Sequence, residues 1–207
     1  MLHSMKMEKK APLPARPVMI TFDDWTPDHF ELARPILNQL GFKAVFFIVT
    51  EKINSEEERD KLRTLVREGH EIGSHTVHHF YLTQGDCNAK WKCCHELKPC
   101  PAEETQSELR ESKNFLESVI DRPVTSIAWP GNFYSDRVVK WALEAGYQTT
   151  FAVKRQTSKG EVLNSRASVT RTPALIFRTR IDGNNTLAAF IRRLSLPAGE
   201  KNPRGRE

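Results

Sequence analysis

Apolar residues along this chain alternate between two rhythms. Short unbroken runs at Val18 to Phe22, Ala44 to Val49, Val124 to Trp129 and Thr149 to Val153 read as buried strands. Between them, Phe30, Ala33, Ile36, Leu37 and Leu40 recur at helical spacing over Asp28 to Leu40, with Gly41 as the stop and Pro35 predicting a kink. Ser55 followed by Glu58 forms a capping box for a helix running to about Glu68, and His70 to Gly73 reads as a short strand after the Gly69 stop. Leu109, Phe115, Leu116 and Val119 mark a helix over Glu103 to Ile120. Ser135 can cap another, carrying Val138, Val139, Ala142 and Leu143 and ending at Gly146. Ala174 to Phe177 is a further strand, and Leu187 to Leu194 a helix capped near Asn185. Repeated strand-helix units in one short chain imply an α/β domain with a parallel sheet, open or closed.

Chemistry enters where apolar runs end. Thr21-Phe22-Asp23-Asp24 places adjacent carboxylates at the end of a strand, where successive side chains point in different directions. Ser74-His75-Thr76-Val77-His78-His79 offers imidazoles at i and i+4, which one helical turn would stack on a common face. Asp24, His75 and His79 can then share one cation while Asp23 faces the reacting group. Two histidines and one carboxylate suit catalytic zinc, and equally cobalt, nickel or iron(II). An Asp-Asp pair alone is usually a solvated turn, and a lone H-x-x-x-H is often two unrelated histidines; their joint occurrence favours a metal site. His78 stands one residue out of ligand register.

At these residues the chain resembles the polysaccharide deacetylases with a NodB-homology domain, carbohydrate esterase family 4. That family's TFDD and H-S/T-x-x-H motifs are complete here, and Leu82 matches the leucine that commonly follows the second His. The resemblance runs from about Val18 to Leu194. It implies a distorted (β/α) barrel with fewer than eight units, whose catalytic residues sit at the C-terminal ends of strands. Ile127-Ala128-Trp129-Pro130-Gly131-Asn132 stands in the place of the third family segment. The usual Arg falls on Ala128, closer to the Ala-Tyr-Pro variant of enzymes resembling poly-N-acetylglucosamine deacetylases. The C-terminal Leu-x-x-His motif is missing, since no His follows His95.

The resemblance implies roles residue by residue. Asp23 is the base that takes a proton from the attacking water, and the Gly131 N–H helps stabilise the oxyanion. Arg180, in Arg178-Thr179-Arg180-Ile181-Asp182, resembles the arginine of a C-terminal Pro-Arg-Ile segment and would orient the base in place of Ala128. The departing amine needs an acid: Asp23 returning its proton is preferred to His78. The implied reaction is removal of N-acetyl groups from an N-acetylhexosamine polysaccharide such as poly-N-acetylglucosamine, chitin or peptidoglycan. Another metal-dependent amidase or esterase on a small substrate, or a carbohydrate-binding module with lost activity, are the alternatives. Intact Asp23 argues against the binding module.

Composition bounds the rest. The 207 residues, 39% hydrophobic and 28% charged, suit one domain over 17–196, with flexible tails at 1–16 and 197–207. A formal charge of +5 without a basic stripe interleaved with aromatics argues for mild attraction to anionic polymers and against nucleic acid. No apolar run approaches the ~18 residues of a membrane span, and the polar start Met1 to Lys10 lacks the apolar core of a signal peptide. Cys87, Cys93, Cys94 and Cys100 cluster in one loop, 86–101, without a C-x-x-C pair. Two disulfides in an oxidising compartment are favoured over a four-thiolate structural zinc, with three connectivities open and Cys93–Cys94 the strained one. A secreted, periplasmic or cell-envelope home is expected ahead of a cytoplasmic one. Polymer identity and oligomeric state are not encoded in these motifs.

Overall fold

The computed structural model describes residues 18–82, 101–153, 175–181 and 183–195. All four cysteines, with their expected disulfides, and both expected tails lie outside them. Among the described residues six strands form one sheet in the order β1 to β6: Ile20–Phe22, Ala44–Ile48, Glu71–Ser74, Ser126–Ala128, Thr149–Val153 and Leu175–Arg178. Every neighbouring pair is parallel, with Thr21 opposite Val45, Phe46 opposite Ile72, Ser74 opposite Ile127, Ile127 opposite Thr150 and Phe151 opposite Ile176. Parallel strands require crossovers, and helices supply the first four: α1 (Arg34–Gln39), α2 (Glu56–Arg67), α3 (Ala102–Ile120) and α4 (Asp136–Glu144). A fifth helix, α5 (Leu187–Ser195), follows β6.

The pleat divides the sheet into two faces. Phe46, Ile48, Ile72, Ile127 and Ala152 join Leu62, Leu65, Leu109, Leu116 and Val139 in the main core beneath the helices. Val45, Phe47, Ala128 and Phe151 form a second cluster on the concave side. This is why β2 reads as an unbroken apolar run: all five of its residues are buried, alternately against helices and inside the curl. Gly73 is required here, because a Cβ would lie 2.4 Å from the Phe47 ring and 2.8 Å from the Ser126 hydroxyl. A flat sheet would hold β1 and β6 about 24 Å apart, at about 4.8 Å per strand step. Arg178 on β6 nonetheless bonds Asp23, just past β1, at 2.7 Å. The sheet is therefore curled into a half-barrel with fewer than eight units, as the resemblance implied.

Two expected details differ. The helix expected over Asp28 to Leu40 opens instead as a π-helical turn, His29–Ala33, and becomes α-helical only from Arg34. Pro35, which has no N–H to donate back to the preceding turn, thus falls at the junction of the π-helical and α-helical segments. The cap of α5, expected near Asn185, is the adjacent Thr186, whose hydroxyl accepts from the Ala189 N–H at 3.2 Å. Ser55 and Ser135 cap α2 and α4 as their spacing predicted, accepting from Glu58 and Val138.

Candidate metal centre and catalytic carboxylate

The ends of β1, β3, β4 and β6 bring the chemistry to one rim. Asp24 leaves β1 in a left-handed conformation, φ 75°, and Trp25 follows at φ 57°. Such backbone costs about 1–3 kcal/mol per residue and persists only where its surroundings hold it. They do so here: Lys52 donates to the Asp24 carbonyl at 2.6 Å, and the Trp25 indole N–H donates to Glu58 at 2.6 Å. The turn carries the Asp24 carboxylate to the histidines.

His75 continues β3, and the expected helical turn to His79 does not form. The segment is irregular, with Thr76 at φ 68° and His79 at φ 58°. The Ser74 hydroxyl accepts from the Thr76 N–H at 3.1 Å, and the Thr76 hydroxyl accepts from the His79 N–H at 3.1 Å. These side chains replace the backbone ladder a helix would have supplied, and still bring the two imidazoles to 4.9 Å between ring centres. His75 Nε2 lies 3.3 Å and His79 Nε2 3.1 Å from the same Asp24 oxygen. One ligand atom from each residue falls within 4.8 Å of the others.

The donor set fits a divalent cation. The Ala128 carbonyl accepts from His75 Nδ1 at 2.8 Å, so Nε2 is the nitrogen turned toward Asp24 and the one that would offer its lone pair to a bound cation. His75 is 3% exposed and Asp24 49%, so the trio has one buried wall and one side open to solvent. Hydrogen bonds from His75 and His79 hold the Asp24 carboxyl far below the usual carboxylate range, against the opposing effect of burial.

Asp23 faces a different partner. Arg178 grips it with two parallel bonds of 2.7 Å and donates a third, at 3.0 Å, to the Thr21 hydroxyl. The guanidinium lies 5.2 Å from the Phe47 ring centre, inside the curl. Burial pushes the Asp23 carboxyl up, but the Arg178 bonds outweigh it, helped by the nearby charges of His75 and Arg178, and hold it below its ordinary value. The arginine expected to orient this carboxylate was Arg180; the residue found there is Arg178, and Arg180 is exposed beyond the strand. Parity puts Arg178 on the inner face, since Phe177 packs on the helix side, but Arg180 would share it; β6 ends at Arg178, and that end decides between the two.

The third segment is shaped by packing. Gly131 has φ 57°, and a Cβ there would lie 2.3 Å from the Tyr81 ring. Asn132, at φ 66°, pairs its side-chain amide with both the N–H and carbonyl of Val153, each at 2.5 Å, fixing the segment to the end of β5. His78 turns away from the trio toward Glu108, 2.5 Å from its Nδ1. Among the described residues no helix is long and apolar enough to cross a membrane.

Comparison with known proteins gives a family and a fold. The family model for polysaccharide deacetylases matches residues 10–150. The peptidoglycan-N-acetylglucosamine deacetylase of Bacillus cereus is 29% identical over 133 residues, 64% of this chain and 54% of that protein. The chain spans 42% and 54% of the length of two curated Bacillus relatives that it matches. Among solved structures, the Streptococcus pyogenes deacetylase PplD in complex with acetate aligns with TM-score 0.68 at 21% identity, covering 89% of this chain and 74% of that one. A de-N-acetylase from Aggregatibacter actinomycetemcomitans aligns with TM-score 0.67 at 17% identity, covering 89% and 77%. At these identities the structural likenesses speak to the fold.

Proposed function

The chain belongs to the polysaccharide deacetylase family, and on that premise we propose that it hydrolyses N-acetyl groups from an N-acetylhexosamine polysaccharide, with poly-N-acetylglucosamine, chitin and peptidoglycan as the substrate class. The observation that carries this reading is the adjacency of two differently served carboxylates: Asp24 turned to two imidazoles, Asp23 gripped by an arginine. Asp24, His75 and His79 would hold a divalent cation, zinc first, with cobalt, nickel or iron(II) compatible with the same donors. When bound, such a cation supplies Lewis-acid polarisation of the amide carbonyl and of water.

The protein's own groups do the rest. Asp23, kept ionised by Arg178, accepts a proton from the attacking water at a carboxylate oxygen. Arg178 fixes the carboxylate plane, so the base is presented in one orientation. The Gly131 N–H is the proposed backbone donor to the oxyanion. As the tetrahedral adduct collapses, Asp23 returns its proton to the leaving nitrogen; His78 is committed to Glu108 and is set aside as the acid. The products are acetate and a free amine on the glycan. The Bacillus relative's name supports a cell-envelope setting for this reaction.

Release of acetate from poly-N-acetylglucosamine, chitin oligomers and peptidoglycan tests the reading, measured with and without a chelator and after zinc is restored. Acetate release from one of these, lost with chelator and regained with zinc, is expected. No release from any of them, with zinc bound, would overturn it.

A further inference from the structure

Helix α3 turns a stripe toward the sheet that includes Leu109, Leu116 and Val119, yet three of its buried positions are polar: Thr105, Glu108 and Ser112. They stand at i, i+3 and i+7, one face of the helix, and Glu108 is 3% exposed. A buried carboxylate is costly unless its acceptor sites are filled. One Glu108 oxygen accepts from the Val77 N–H at 2.9 Å and the His78 N–H at 3.0 Å, while the other meets His78 Nδ1. Four residues on, the Ser112 hydroxyl lies 2.9 Å from that of Ser74, the hydroxyl that accepts from the Thr76 N–H. The polar insert in α3 therefore lies where the helix crosses the segment between the two metal-facing histidines.

The opposite edge of that segment is held too. The Thr76 and Val77 carbonyls accept from the Thr50 and Glu51 N–H groups at 3.1 and 3.0 Å. Residues 76–78 are thus gripped from β2's end on one side and from α3 on the other, around the left-handed Thr76 and ahead of the left-handed His79. A hydroxyl at position 108 could not span two amides and an imidazole, whereas the two oxygens of a carboxylate can.

We propose that Glu108 is the positioning residue that fixes the 75–79 segment in the conformation in which His75 and His79 meet Asp24. It touches no ligand atom; it acts through the backbone between the two ligands. The proposal rests on the metal-site reading above, and its test separates the two. Zinc affinity would be measured by chelator competition on the whole chain for wild type, His79→Ala, Glu108→Ala, Glu108→Asp and Glu108→Gln, alongside amide hydrogen exchange at Val77 and His78 in the zinc-free protein.

Glu108→Ala, and Glu108→Asp with its shorter reach, are expected to bind zinc about 10- to 100-fold more weakly. Their Val77 and His78 amides should exchange faster while those of α2 stay protected. Glu108→Gln keeps an acceptor at the same reach and should restore most of the affinity. Should Glu108→Ala not fold, Glu108→Asp decides. Wild-type zinc affinity and wild-type exchange in the folded variants would overturn the role of Glu108. Zinc affinity that is absent in wild type, with exchange at Val77 and His78 still controlled by Glu108, would overturn the metal reading and leave the clamp standing.

Discussion

Asp23 and Asp24 are neighbours in sequence and belong to two different constructions. Asp24 is served by histidines from a single segment, two strands away, shaped by hydroxyl and backbone contacts. Asp23 is served by an arginine 155 residues away on the opposite edge of the sheet, and the two meet only because the sheet curls. The first depends on a loop conformation, the second on the curvature of the whole domain. Perturbing each should therefore have distinct signatures.

The largest effect is expected from the loop-built half. His75→Ala or His79→Ala removes a donor from a three-residue set, and zinc content of the purified protein should fall to that of a chelated control, with acetate release lost alongside. Both variants retaining wild-type zinc would break the comparison at its first term.

The curvature-built half should respond more moderately and without metal loss. Arg178→Ala leaves Asp23 without its two charge-assisted bonds, and kcat/KM should drop about 10- to 100-fold while zinc stays bound. Arg178→Lys should recover only part of this, because an ammonium cannot make the parallel pair. Steady-state kinetics beside metal analysis reads both.

Much of this division was legible in the sequence, and the misses have physical causes. The strands and most helices follow from apolar runs, caps and glycine stops, because those signals are local. The candidate trio of Asp24, His75 and His79 was visible in two motifs, although its geometry was not: Thr76 and Ser74 offer hydroxyls that bond the backbone, which defeats the helical turn that the i, i+4 spacing suggested. Arg180 was read in place of Arg178 because the pairing with Asp23 depends on where β6 ends as well as on which face looks into the curl. Two positions along a strand keep the same parity, so only the end of the strand, at Arg178, separates the candidates. Glu108 gave no motif at all. A charged residue among apolar helical positions was its one trace.

A smaller effect falls on stability. Gly131→Ala places a Cβ against the Tyr81 ring at a left-handed position, and should cost about 1–3 kcal/mol, read as a lower thermal midpoint. Smallest of all is Arg180→Ala, which should leave kcat/KM within about 2-fold, as for exposed positions generally. A loss on the scale of Arg178→Ala would return the orienting role to Arg180.

The two neighbouring carboxylates themselves supply the sharpest measurement: zinc content and acetate release determined side by side for Asp23→Asn and Asp24→Asn. Asp23→Asn should keep its zinc and lose about 10²- to 10⁴-fold in turnover, the scale of general acid-base catalysis. Asp24→Asn should lose zinc and activity together. Turnover near wild type in Asp23→Asn, or full zinc in Asp24→Asn, would contradict the division of labour between them.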